Sequence, residues 1–307
     1  MTFIVNLIKN RNFVLILAVV LGLSIGDFAN NIKDYTIYIL ALVMTFSMTN
    51  IRTKSLYPPS KLYKPMMMGA LLNYLIYAVV SILLANWLID DKELFYGFVV
   101  IATTTPGVAI IPFSNILKGD VEYAIKGVLG AFLCAIFLTP FAVGWLTGND
   151  GISSMSLFVL MLKTIVVPLI LSRFLLLPKW LPKVELIRGK IVDWGFATLI
   201  FIAIGVNRSV FFDETSILFN IALVLFCTHF VMGFTYEYLA KRWIKNPAFL
   251  VSQNLLLTIK SSGFAVVTAL TLFGKKAAIP TAVLPIFVLL YLLSLSFRQD
   301  YKRKKNK

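Results

Sequence analysis

Histidine and cysteine are almost missing from this chain: its 307 residues include one histidine, His229, and two cysteines, Cys134 and Cys227. A lone imidazole and two thiols inside apolar runs cannot supply the clustered Cys/His spacing of a zinc site, so neither a metal centre, a disulfide framework nor a cofactor is expected. Acidic residues are scarce too, 14 against 29 Lys and Arg, for a formal net charge of +15. Long polar stretches are absent as well. The longest one between apolar runs, "LPKWLPKVELIRGK" at 177–190, is too short to bury a core of its own, which excludes an extramembranous catalytic domain. No nucleophile–base constellation stands out, and the chain does not read as an enzyme.

What it has in excess is hydrophobicity: 59% of residues, with a mean hydropathy of +0.86. A soluble domain carries roughly 45–50% apolar residues, so the sequence describes a polytopic membrane protein. Ten apolar runs follow one another: Phe13–Gly26, Tyr35–Met48, Pro65–Leu88, Phe95–Leu117, Val121–Leu146, Ser154–Leu177, Ile191–Val206, Ile217–Ala240, Phe249–Phe273 and Ala277–Phe297. Several approach the ~20 residues a helix needs to cross a hydrocarbon core, and the first two are short. The first lacks a small-residue cleavage site after it and is expected to stay as a span rather than act as a cleaved signal. On this topology 22 of the 29 Lys and Arg fall on one side. Lys33, Lys92, Arg208, Lys275 and Lys276 fall on the other, and Lys163 and Lys260 lie within spans. The basic excess is therefore topological and places both termini in the cytoplasm, with a bacterial inner membrane as the expected location. No basic face with interleaved aromatics lies outside the spans, so nucleic acid is not an expected partner; the lipid bilayer is.

Two runs are interrupted where a simple helix would continue. The fourth carries Thr103-Thr104-Thr105-Pro106-Gly107 in mid-span, with a further Pro112. Proline removes an amide donor and clashes with the preceding turn, and glycine frees the backbone. The ninth carries Lys260-Ser261-Ser262-Gly263. Each is the fourth run of five. Two halves with an odd number of spans insert in opposite orientations, so residues 1–152 and 153–307 are expected to form two inverted repeats with a transport site where the broken segments meet. Free half-helix N-termini there favour an anion.

The segments "LLNYLIYAVVSILLANWL", "TTTPGVAIIPFSNILKGDVEYA", "LMLKTIVVPLILSRFL", "CTHFVMGFTYEYLAKRW" and "IKSSGFAVVTALTLFGKKAAIPTAVLPIFVLLY" resemble successive pieces of the bile-acid:sodium symporter family, over essentially the whole chain. The carriers of the resemblance are the Pro-Gly break ending in Gly119-Asp120 and the Asn-Ser-Gly-like break in the ninth span. The resemblance implies an all-α fold of ten transmembrane helices in two inverted five-helix repeats. It implies a panel domain from helices 1, 2, 6 and 7, a core domain from helices 3–5 and 8–10, and crossed discontinuous helices 4 and 9. It also implies symport of a small organic anion with sodium. At the sodium positions this sequence departs from the family. Asn73 matches the helix 3 amide, but the helix 9 glutamate falls on Leu256, the glutamine before the break on Lys260 and the asparagine on Ser261. On helix 4 the family's Ser-Asn pair lands near Ile111 and Pro112, and Ser114-Asn115 is out of register with it.

Sodium needs several oxygen ligands and a balancing carboxylate, and neither broken run contains Asp or Glu. The expectation is that the Lys260 ammonium takes the cation's place and donates to Thr103–Thr105 hydroxyls, exposed carbonyls and Asn73. Asn73, Thr258, Lys260 and His229 are the candidate ion-coupling residues. Thr103, Thr104, Thr105, Pro106, Gly107, Ser261, Ser262 and Gly263 are the candidate substrate-binding residues. The implied function is a secondary transporter of a carboxylate-type anion working by alternating access, sodium-independent or proton-linked. The rivals are a conventional sodium-coupled symporter of the same family and a transport-inactive receptor. An arsenite-type carrier would need a cysteine in helix 4, and Cys134 belongs to helix 5. Lys163 is expected to pair with carbonyls or cap another helix, His229 to bridge helices by hydrogen bonding, and Glu237 to pair with Lys241. Lys260 lies near the middle of its run, too deep for snorkelling to be its expected role. Substrate identity and oligomeric state are not legible.

Overall fold

The computed structural model describes residues 11–52, 59–148, 154–213 and 215–305, and every regular element among them is a helix. Lipid offers a backbone no hydrogen-bond partners, so an apolar chain of this composition satisfies its amides along its own axis. The elements in order are α1 (Arg11–Ile25), α2 (Thr36–Met48), α3 (Tyr63–Leu88), α4a (Lys92–Thr103), α4b (Ile110–Ile116) and α5 (Val121–Thr147). After them come α6 (Ser154–Met161, a π turn at Leu162–Val166, and Val167–Leu175) and α7 (Leu181–Gly205). α8 is built from Thr215–Phe226, a π turn at Cys227–Val231 and Met232–Ala240. The last are α9a (Pro247–Thr258), α9b (Ser262–Leu272) and α10 (Ala278–Lys305). Among the described residues six helices are long and apolar enough to cross a membrane, the α1–α2 stretch Phe13–Met48 counted as one. The chain is an integral membrane protein.

Local chemistry sets where the helices start and stop. Asp91 caps α4a by accepting from the amides of Glu93 (3.0 Å) and Leu94 (3.1 Å), and Asp120 caps α5 through the Tyr123 amide (2.8 Å). Asn246 accepts from Ala248 N at the start of α9a, with Pro247 in the first turn. Gly148, at φ 67°, closes α5 in the left-handed conformation that glycine adopts without strain.

α1 and α2 pack on α7, and α6 packs on α2. α3 lies against α5, α9a against α3, α5 and α8, and α10 against α4a and α9b. The α3–α5 contact is made at backbone distance: a Cβ placed on Gly69 would sit 2.3 Å from the Gly127 carbonyl oxygen, and one on Gly130 would sit 2.5 Å from Met66 Cα. Small residues at such a crossing let van der Waals contact replace the hydrophobic drive that lipid cannot supply.

Three boundaries differ from the sequence reading. The stretch 177–190 is not a loop. α7 begins at Leu181, with Pro182 in its first turn, because proline at that position costs no hydrogen bond and presets φ. The join of α1 and α2 is itself helical, through short turns at Gly26–Phe28, Ala29–Ile32 and Lys33–Tyr35. α10 continues past Phe297 to Lys305, since its Lys- and Arg-rich end is a good helix former once outside lipid. The repeat boundary expected at 152/153 lies outside the described residues, as do Lys9, Lys54 and Lys307 of the charge assignment.

Candidate functional site: the crossing of the two broken helices

Pro106 ends the helical ladder of α4a, because it has no amide to offer and forbids the turn before it. The chain runs extended from Thr104, at ψ 158°, and turns helical again at Ile110. Between α9a and α9b, Ile259 and Ser261 are extended in the same way, at ψ 106° and 91°. The two extended pieces meet as an antiparallel bridge between Pro106 and Lys260. Gly107 N donates to Ile259 O at 3.0 Å, and Ser261 N donates to Thr105 O at 2.9 Å. Each break thus satisfies part of the other's backbone, the condition for irregular chain at membrane depth. Gly107 permits the approach: a Cβ there would be 3.1 Å from Lys260 O and 3.3 Å from the Ile259 side chain.

Lys260 is buried, with 1% of its surface exposed, and its ammonium turns inward. Nζ donates to Asn73 Oδ1 (2.9 Å), Ala102 O (3.0 Å) and Thr104 O (2.9 Å), which uses its three protons. The two carbonyls belong to the last turn of α4a, where the missing amides beyond Pro106 leave orphan acceptors and the helix dipole is negative. Thr104 O also accepts from Asn73 Nδ2 at 3.0 Å, and Thr103 O accepts from Thr139 Oγ1 of α5 at 2.7 Å. Aromatic faces complete the enclosure, with Nζ 4.6 Å from the centre of the Tyr77 ring and 5.6 Å from that of Tyr74. This is a cation site built from one amide, two carbonyls and two π faces, and a side chain of the same protein fills it.

The threonine hydroxyls do not take the role the sequence reading gave them. Thr103 Oγ1 donates back to Val99 O at 2.8 Å, and the buried Thr104 and Thr105 Oγ1 atoms have no partner among the described residues. Thr258 is one turn from the lysine but donates to Asn254 O in its own helix at 2.8 Å. His229 does not bridge helices: its Nδ1 meets Leu225 O, four residues back, at 2.8 Å. The π turn at Cys227–Val231 brings it to the crossing, where its ring meets Tyr77 edge-on at 6.1 Å. Lys163 neither caps nor pairs with another helix among the described residues; it is exposed, on the same stripe of α6 as Val159, Val167 and Ile170. Glu237 does meet Lys241, at 2.9 Å, and also holds Arg298.

Leu256, where the resemblance would place a glutamate, is fully buried. Its δ-methyl lies where a Cβ on Gly127 of α5 would be, 2.4 Å from that point, so the leucine fills a niche that only glycine leaves open. On the opposite side of the crossing runs a narrow crevice of about 60 Å³. It is lined by Gly107, Ser261 and Ser262 of the crossing, by Leu15 of α1 with Phe196 and Ile200 of α7, and by the Pro285–Leu292 stretch of α10. The candidate substrate residues are therefore divided. Gly107, Ser261 and Ser262 face the crevice, while Thr103, Thr104 and Thr105 are buried behind it. Gly263 sits beneath the Phe196 ring, whose carbons would lie 2.8 Å from an added Cβ.

Tyr74, Tyr77 and Thr139 were not picked out from sequence. The available signal was the polar spacing Asn73, Tyr77, Ser81 on one face of the third span, all buried in the fold.

None of the curated proteins matches the chain. The model of the sodium bile acid symporter family matches residues 37–214, from α2 past the end of α7, which includes the Thr-Pro-Gly break and stops short of α9. Members of that family are membrane transporters and not enzymes. With more than half of its length matched, broken fourth span included, the chain belongs to the sodium bile acid symporter family.

Proposed function

We propose that this protein is a secondary transporter of small organic anions that works without sodium, the Lys260 ammonium standing permanently where a mobile cation sits in its relatives. One observation carries the reading: Nζ makes three hydrogen bonds, to Asn73 Oδ1 and to the Ala102 and Thr104 carbonyls, at the point where the two breaks cross. A sodium ion at the same oxygens would face a fixed like charge, a repulsion of about 4 kcal/mol at 4 Å for an effective dielectric of 20. The family's glutamate position supports the same conclusion, because Leu256 packed into the Gly127 niche offers no ligand.

In this reading α1, α2, α6 and α7 form the panel and the remaining helices the core, as two inverted repeats with both termini cytoplasmic in a bacterial inner membrane. The third span of each half carries a π turn and the fourth a break, which is the internal symmetry such a repeat predicts. A carboxylate is drawn to the Ser261–Ser262 start of α9b, while its apolar part lies against Leu15, Phe196 and Ile200. Room of about 60 Å³ holds a few waters at most, so the panel and core walls part to admit substrate, as alternating access requires. Lys260 does not itself grip the carboxylate, since all three of its protons are committed.

The test is uptake of a carboxylate set into liposomes containing the purified chain, with sodium, potassium or pH gradients imposed separately. Sodium independence is expected for the wild type, and the pH arm separates proton-linked uptake from uniport. Strict dependence on a sodium gradient that persists in Lys260→Ala would overturn the reading.

A further inference from the structure

A second charged site lies away from the crossing, where α8 and α10 leave the apolar part of the bundle. Glu237 accepts from Lys241 Nζ at 2.9 Å and from Arg298 Nη1 at 3.0 Å, and the Arg298 guanidinium lies 4.8 Å from the centre of the Phe234 ring. Two cavities, of about 370 and 350 Å³, open beside this cluster and share Glu237, Lys241 and Arg298. Lys118 borders the larger one together with Leu117, Leu250, Val251 and Leu295; Phe234 and Tyr238 border the smaller.

Three features point to an occupant. The site carries three cations against one carboxylate, and Lys118 has no carboxylate partner among the described residues. Lys118 also holds the left-handed conformation, φ 56°, where no other non-glycine residue is found among the described residues. It closes α4b as a Schellman cap, with Gly119 N donating to Ser114 O (2.7 Å) and Lys118 N to Asn115 O (3.2 Å), which fixes the backbone from which the lysine leaves. Finally, the apolar spans Ser216–Ala240 and Ala278–Gln299 both end at this cluster, which sets it at headgroup depth, with apolar walls running from it into the bundle.

We propose that these cavities bind an anionic phospholipid, its phosphate held by Lys118 and Arg298 and its chains laid along the apolar walls. Glu237 opposes the phosphate, but its charge is already balanced by Lys241 and Arg298, and the site remains net positive. Lys and Arg near the surface attract acidic lipid, and here they border open cavities with mostly apolar linings. Because α9a lines the larger cavity through Pro247, Ala248, Leu250 and Val251, an occupied site braces the first half of the broken ninth span. This site is independent of the transport reading, and uptake that proves sodium-coupled would leave it untouched.

The experiment is thermal unfolding of the full chain in neutral detergent with phosphatidylglycerol, phosphatidylcholine or inorganic phosphate added. Phosphatidylglycerol is expected to raise the melting temperature by roughly 4 °C, and the other two by less than ~1 °C. Lys118→Gln with Arg298→Gln should lose at least half of the rise, while Lys183→Gln with Lys190→Gln, on α7, should keep it. Equal shifts with phosphatidylcholine or phosphate, or equal loss in the α7 variant, would overturn the proposal. If the double variant does not fold, native mass spectrometry of Lys118→Gln replaces it. Retained phosphatidylglycerol should fall about threefold, and an unchanged adduct would count against the site.

Discussion

Two cations in this protein, one half-buried and one fully buried, do the same chemistry. Arg173 of α6 donates to Met48 O (2.9 Å), at the last residue of α2, and to Ile51 O (2.7 Å), in the turn beyond it. Lys260 donates to Ala102 O and Thr104 O, the carbonyls left over where α4a ends. Both complement the negative end of a helix. Arg173 is half-buried, at the end of a helix that has run its length. Lys260 closes a helix that stopped halfway, with 1% of its surface exposed. The comparison teaches that the bond type does not separate a structural cap from a functional charge. Depth of burial does, because no solvent reaches the Ala102 carbonyl to take the amine's place.

The sharpest break of the comparison is Lys260→Met. It keeps the apolar stem and removes the charge, leaving Asn73 Oδ1 and the Ala102 carbonyl buried without that donor, while Thr104 O keeps its bond from Asn73 Nδ2. A loss of about 2–4 kcal/mol in unfolding stability is expected, together with loss of uptake. Denaturation in detergent checks the first, and a loss below ~1 kcal/mol would show that water replaces the amine freely. Next in size is Gly130→Ala, which tests whether the crossing depends on the close α3–α5 contact beneath it. The added methyl meets Met66 backbone, and a cost of about 1–3 kcal/mol is expected. Arg173→Met should cost less, about 1–2 kcal/mol, since the guanidinium it removes is only half-buried. If it equals Lys260→Met, the depth argument is wrong.

The smallest effect belongs to Asp91, which caps α4a at its outer end and meets Lys276 at 2.6 Å. Burial acts to raise the pKa of this carboxyl. The Lys276 hydrogen bond and charge, with the Leu94 and Glu93 amides, outweigh burial and hold the pKa below its ordinary value. A depressed folded pKa means a contribution fully present above the unfolded value of about 4 and lost as pH falls through the folded one. Screening keeps it under ~1 kcal/mol. Melting temperature followed from pH 5 down to pH 2.5 should decline more in wild type than in Asp91→Asn, and parallel curves would remove Asp91 from the account.

Much of this was legible before any coordinates. The Thr-Pro-Gly and Lys-Ser-Ser-Gly interruptions mark where helices cannot continue, because proline and glycine act within one or two residues of themselves. The Glu237–Lys241 pair was legible for the same reason, four residues apart on one helix. His229 misled because helix periodicity reports which face a residue takes and not whether its ring nitrogen turns to a neighbour or back to its own carbonyl. The residue also sits in a π turn, Cys227–Val231, which composition does not reveal. Lys163 misled similarly: ionisable residues in spans usually turn inward, and this one is on an outward stripe.

The amino-acid sequence by itself determined that the chain lives in a membrane, where its helices break, and that a lysine occupies one break with no carboxylate near it in the chain. These are consequences of local covalent chemistry and of the cost of bare backbone and charge in lipid. Only the tertiary structure decided what that lysine meets. Asn73, Ala102 and Thr104 stand 156 to 187 residues away from it in the chain. Their convergence depends on two extended strands pairing at mid-depth and on a glycine contact between α3 and α5, long-range packing that no window of neighbouring residues encodes.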